Sequence, residues 1–96
     1  MILLGAEGRK IAVEESSRDF GRPDFLDWVA PAKADFISHR HFRIVAEKGE
    51  FFIEHLSKVN PTAVNGESVK GRLPLKEGDT IDIAYGVLTL TVSFQE

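Results

Sequence analysis

The sequence contains no cysteine. That excludes disulfide scaffolds, thiolate zinc sites and cysteine nucleophiles together, and it fits a reducing compartment. Helical periodicity is nearly absent, and no apolar run approaches the roughly 20 residues that span a bilayer. Met1-Ile2-Leu3-Leu4 is the only apolar start; with Glu7 and Arg9 close behind, it is too short for a signal peptide or a membrane segment. Charge of one sign is also scarce. The formal net charge is −3, so nothing attracts DNA, RNA or acidic lipid globally, and a polyanion would have to be held at a small local site. There is no glycine-rich phosphate cradle with a helix to follow it, no internal repeat and no low-complexity tract. The expected protein is soluble, intracellular and cytoplasmic, with no cofactor and neither a nucleic-acid nor a membrane partner.

At 96 residues the chain suits one compact domain, 1–96, and is too short for two. Hydrophobic residues are 43% of it, enough to bury a core. Their period is two. In Val87–Phe94, Leu88, Leu90, Val92 and Phe94 fall on one face and Thr89, Thr91 and Ser93 on the other, as in a half-buried antiparallel strand. Ile81, Ile83 and Tyr85 form a similar face, as do Phe42, Ile44 and Ala46. Glu50–Leu56 should pair with His41–Glu47 across a Lys48-Gly49 turn, and Ile2–Leu4 with Lys10–Val13 across Glu7-Gly8. Further turns are signalled at Asn65-Gly66, Glu77-Gly78-Asp79 and Tyr85-Gly86. Short strands so spaced predict an antiparallel sandwich or barrel. The exception is Arg22–Phe36, a long connection of a kind that usually has a task. Asp24–Val29 could form one helical turn there, stopped by Pro31.

Three polar groups fall in or beside predicted loops. Arg22 follows Gly21; its guanidinium could grip phosphate or carboxylate in bidentate fashion, or simply pair with Asp19 or Asp24. Ser38-His39-Arg40-His41 precedes a strand and offers several donors for a phosphate. It could equally be a solvated lead-in to that strand, with His41 bonded inside the fold. His39 and His41 would share one face of an extended strand, but only His55 could add a third imidazole, so a metal site is not expected. Asn60 is held extended by Pro61 and can project its amide, while Asn65-Gly66 reads first as a turn. Phe25 and Trp28 read as loop anchors or core. Nucleophilic catalysis is not expected, because catalytic partners of Ser38 would normally converge from separate segments. Glu14-Glu15 and the Asp79/Asp82 pair need no more than a solvated surface.

In order, Gly21-Arg22, Ser38-His39-Arg40-His41, Asn60-Pro61-Thr62-Ala63-Val64-Asn65-Gly66 and Leu75-Lys76-Glu77-Gly78-Asp79-Thr80-Ile81 resemble the motifs of the forkhead-associated (FHA) domain family. The resemblance runs from about Phe20 to Ala84. It implies an all-β fold, an antiparallel β-sandwich of about eleven short strands, whose loops at one end recognise a phosphorylated protein or peptide, with phosphothreonine favoured. It implies phosphate contacts at Arg22 and Ser38, a further donor at His39, and at Asn60 the residue that grips the ligand backbone. Gly21, His41, Asn65 and Gly66 match positions that hold the binding loops in shape. Pro61 stands where the family usually has glycine, Val59 where a small hydroxyl residue is common, and Phe36 where some members carry a basic residue. The rival expectations are an interaction sandwich indifferent to phosphate and a small hydrolase.

Overall fold

The computed structural model describes residues 1–95. Ten strands form two antiparallel sheets among them. They are β1 (Ile2–Leu4), β2 (Lys10–Ala12), β3 (Ser17–Phe20), β4 (Phe42–Glu47), β5 (Glu50–His55), β6 (Thr62–Val64), β7 (Glu67–Ser68), β8 (Arg72–Leu75), β9 (Thr80–Ile83) and β10 (Leu88–Ser93). One sheet runs β2-β1-β10-β9-β6-β7 and the other β3-β4-β5-β8. This is one strand fewer than the eleven implied, and the long connection from β3 to β4, broken by Pro23 and Pro31, contributes none.

The alternation places Leu3, Ile81, Ile83, Leu88, Leu90 and Val92 of the first sheet against Phe20, Phe42, Ile44 and Ile53 of the second, all buried. Burying such side chains is the main favourable contribution to a fold of this size, about 1.5–3 kcal/mol each. The expected hairpin register is observed: β4 pairs with β5 from Phe42↔His55 to Glu47↔Glu50. Lys48 and Gly49 both take positive φ, 51° and 80°, and Asn65 and Gly66 do likewise at 51° and 86°. Two left-handed residues in succession match the strand twist at a two-residue turn. Pro74 lies in β8, at the edge of its sheet, where a missing N–H leaves no central ladder broken.

Two aromatic residues leave the face predicted for them. Tyr85 does not share the inward face of Ile81 and Ile83. Ala84, Tyr85 and Gly86 have φ of 54°, 57° and 85°, so the chain turns over and leaves Tyr85 85% exposed. Phe94 lies past the end of β10, where its ring stacks on Phe51 at 5.7 Å instead of entering the core.

The β3–β4 connection is ordered by packing. Its one-turn α1 (Pro31–Ala34) begins at Pro31; proline starts this helix, at a position whose N–H would be unpaired anyway, and does not stop an earlier one. Phe25 is buried among Phe20 and Phe42, and Trp28 meets Phe25 edge-on at 5.2 Å. Arg9 donates to the Asp27 carbonyl from the other sheet's hairpin. Where β3 ends, Gly21 passes so near the next segment that a Cβ there would lie 1.9 Å from the His39 carbonyl oxygen. The φ of −171° is ordinary extended backbone, so the requirement for glycine is purely steric. We expect Gly21→Ala to cost about 1–3 kcal/mol by forcing backbone apart, lowering the thermal midpoint by roughly 4–8 °C per kcal/mol; thermal unfolding monitored by circular dichroism measures it.

Candidate functional site

The end of the sandwich where β3 stops, β4 starts and β5 passes into β6 gathers Arg22, Ser38, His39, His41 and Asn60. Strand register places them there: Phe20 pairs with Phe42 and Phe42 with His55, so the segments flanking these residues must meet. Arg22 N–H donates to the Ser38 carbonyl at 2.9 Å and His41 N–H to that of Phe20 at 2.7 Å.

Neither carboxylate near Arg22 in sequence pairs with it. Asp24 accepts from Arg18 at 2.9 Å and from the Gly21 amide at 2.9 Å. Asp19 is shared by Arg43 at 2.5 Å and Arg40 at 3.3 Å, and hydrogen bonding to Arg43 holds its carboxyl below the usual range. Arg22 turns instead across the β3–β4 connection: Nε donates to the carbonyls of Ala34 at 3.1 Å and Ile37 at 2.9 Å, and Nη2 reaches Asp35 at a long 3.5 Å. Its Nη1 has no partner among the described residues. The guanidinium is held in place, and no carboxylate among the described residues pairs with it.

Ser38 and a residue that motif reading passed over form a hydroxyl pair. Ser57, buried, lies 2.6 Å from Ser38, Oγ to Oγ. Ser57 Oγ also accepts from the amides of Val59 at 3.1 Å and Asn60 at 3.3 Å. With both acceptor positions filled, its own proton must go to Ser38. Ser38 Oγ is then an acceptor within the protein and keeps its O–H to donate outward. A serine three residues before Asn60 carries no signal of this in sequence.

His41 is fully buried. Ser38 N–H donates to its Nδ1 at 3.1 Å, so Nε2 carries the proton and donates to the Pro61 carbonyl at 3.2 Å. The imidazole therefore meets the Ser38 amide, not the Ser38 hydroxyl, and no nucleophile–base pair is formed. His39 is exposed, so the two histidines do not share a face. His55 Nδ1 bonds Thr62 Oγ1 at 2.8 Å. Among the described residues no cluster of three histidine or acidic side chains could hold a metal. Asn60 Nδ2 donates to the Phe36 carbonyl at 2.9 Å, which ties the β5–β6 loop to the β3–β4 connection and leaves Oδ1 without a partner among the described residues.

Asn65 and Gly66 are not brought to this end. The Ala84 amide donates to Pro61 beside the cluster, whereas Asn65 N–H donates to Thr80 at the opposite end of the β6–β9 pair. The Asn65 side chain donates to Asp79 at 3.0 Å and accepts from the Thr80 amide at 3.0 Å, so it braces the Glu77-Gly78-Asp79 turn.

The chain belongs to the FHA domain family, whose model matches residues 18–84. It is similar to a structure from a structural and functional analysis of phosphothreonine-dependent FHA domain interactions, at 23% identity and TM-score 0.76, with 99% of this chain and 96% of that one covered. It is similar also to the FHA domain of human APLF in complex with an XRCC1 bisphospho peptide, at 16% identity and TM-score 0.79, covering 98% and 97%. A third is the FhaA FHA domain complexed with the intracellular domain of Rv3910, at 23% identity and TM-score 0.72, covering 94% and 96%. No curated protein sequence matches. No helix among the described residues is long and apolar enough to cross a membrane.

Burial pushes the His41 imidazole below the ordinary value of 6.5, against the Pro61 bond, which favours the charged form; His55 adds to the lowering. The unfolded chain therefore takes up this proton first. The stability His41 contributes is complete above about pH 6.5 and is lost as pH falls from there through its folded value. Asp19 acts separately, its contribution present above about 3.8 and lost below. Urea unfolding between pH 7.5 and 5 should show stability falling with acid at no more than about 1.4 kcal/mol per pH unit from this group. His41→Gln should be less stable at pH 7.5 and have a flatter profile.

Proposed function

We propose that residues 1–96 form a phosphorylation-dependent interaction module, not an enzyme, that binds phosphothreonine peptides through the loops bearing Arg22, Ser38, His39 and Asn60. The observation that carries this is Arg22: a positioned guanidinium, without a carboxylate partner, beside a serine hydroxyl whose proton is free to donate outward. A phosphothreonine brings about −1.5 to −2 charges and three acceptor oxygens. Arg22 supplies the permanent opposite charge, Ser38 a directional bond, and Asn60 Oδ1 an acceptor for a ligand backbone N–H. His39, exposed on the same loop, supplies a further donor, Gly21 lets the loops approach closely and His41 holds them in register. The family and the phosphothreonine dependence associated with one structural neighbour support this reading. The lack of cysteine fits a reducing compartment, and we place the domain in the cytoplasm.

Calorimetry with matched phosphothreonine, phosphoserine and unphosphorylated peptides tests the proposal. A charged hydrogen bond contributes about 1.5–3 kcal/mol, so Arg22→Ala should weaken phosphopeptide binding roughly tenfold to a hundredfold. Affinity should fall at high salt and below about pH 6, as exposed charges are screened and the phosphate gains a proton. Arg22 also staples the β3–β4 connection through three carbonyls, which an interaction sandwich indifferent to phosphate would need equally. An unphosphorylated peptide that binds as tightly as its phosphorylated twin would establish that alternative.

Ser57 is proposed as a positioning residue acting through Ser38. Ser57→Ala should lower phosphopeptide affinity about threefold or more, and the loss should shrink when Ser38 is already alanine. Fully additive losses would show that Ser57 serves only the Val59–Asn60 loop.

A further inference from the structure

Each sheet has two edge strands, and three of the four offer little to a further strand. β7 has only two residues. β8 carries Pro74, which has no N–H to donate. The charges of β3 are taken up within the chain, Arg18 by Asp24 and Asp19 by Arg43. β2 differs. Ile11 lies opposite Leu3, and the Val13 amide donates to the Met1 carbonyl at 2.7 Å. Bonding in an antiparallel pair alternates, so Ile11 and Val13 bond to β1 while Lys10, Ala12 and Glu14 turn their N–H and C=O to the open side. Of these, the Glu14 amide reaches only the neighbouring Glu15 carboxylate, at 3.3 Å. An open row of backbone groups is a template for another strand.

The side chains say which strand. Lys10, Ala12 and Glu14 share the outer face with Ile2, and the four line a cleft of about 350 Å³. Lys10 and Glu14 are exposed, and neither side chain has a partner among the described residues. Ala12 lies midway between them. A two-fold axis at Ala12 sets Lys10 opposite Glu14 of the partner subunit, and Glu14 opposite Lys10 of the partner subunit. Each outward N–H then meets an outward C=O, and each cation an acid, as an isologous contact requires. We propose that two copies of this chain form a symmetric dimer by pairing β2 edge to edge, antiparallel about Ala12, which joins their six-stranded sheets into one. The edge shares no residue with the loop site, so the inference goes beyond the phosphothreonine reading and does not rest on it.

Sedimentation equilibrium at low salt, between about 10 μM and about 1 mM, tests the proposal. The mean mass should rise with concentration from the monomer's 10.7 kDa toward twice that, and only weakly, because so short an edge makes a small interface. A chain that stays monomeric throughout overturns the proposal. Lys10→Glu sets acid against acid at both ends of the pair, and Glu14→Lys sets cation against cation. Either should weaken dimerisation roughly tenfold. Lys10→Glu/Glu14→Lys restores both contacts and should recover the dimer, as should an equimolar mixture of the two single variants. Ala12→Pro removes an outward N–H and leaves the β1 ladder whole; it should abolish the dimer while circular dichroism shows the fold retained. Association that survives Ala12→Pro, or a charge effect that the double variant does not reverse, would place the contact elsewhere and overturn this pairing.

Discussion

The site end of this domain depends on one buried imidazole. His41 accepts from the Ser38 amide and donates to the Pro61 carbonyl, while its backbone N–H donates to Phe20 and its carbonyl accepts from the Leu56 and Ser57 amides. One residue thus joins the end of β3, the lead-in to β4 and the loop between β5 and β6. These segments are far apart in sequence and carry Gly21-Arg22, Ser38 and Asn60 respectively. A buried polar group without partners would be costly; here each ring nitrogen is satisfied by the segment it positions, and the neutral ring is the state that permits both bonds.

Charge is distributed by the same logic. Asp19 and Asp24 stand close to Arg22 in the chain, yet each is engaged by other arginines, Asp19 by Arg43 and Arg40 and Asp24 by Arg18. Arg22 is fixed through neutral carbonyls, which orient a guanidinium without cancelling its charge. The net negative balance of the chain therefore says little about the loop end, where local geometry decides which cations remain available.

The sandwich was legible because several of its strands alternate and because Lys48-Gly49 and Asn65-Gly66 have the composition their turns require. The positions where the reading failed are those where period two carries no information. Tyr85 continues the alternation of Ile81 and Ile83, but a left-handed run at Ala84–Gly86 turns the chain before the pattern can be used. Phe94 is parted from its face because the strand stops one residue earlier. In the long connection, Pro31 fits either the end or the first residue of a helix, and the structure places it at the start. For the site, motif order singled out Arg22, Ser38 and Asn60 as candidate contacts and gave Asn65-Gly66 a supporting role, but it did not show that Asn65-Gly66 sits at the far end of β6 and braces a different turn. Ser57 was invisible because its importance lies in which lone pairs are occupied, a property of three converging loops.

A loop-built site can bind well only if its loops are ordered before the ligand arrives, since ordering them on binding would subtract from the affinity. Here Asn60 reaches the Phe36 carbonyl, Arg22 spans those of Ala34, Asp35 and Ile37, and Ser57 holds two amides of its own loop. No buried side-chain polar atom among the described residues lacks a partner. Among the described residues, Arg22 Nη1 and Asn60 Oδ1 keep no partner, and the Ser38 hydroxyl keeps its proton to donate. Pro61 fits this economy as well, because a restricted backbone has less freedom to lose, and its carbonyl serves both His41 and Ala84. Rigidity and the unused hydrogen-bonding groups thus come from the same bonds.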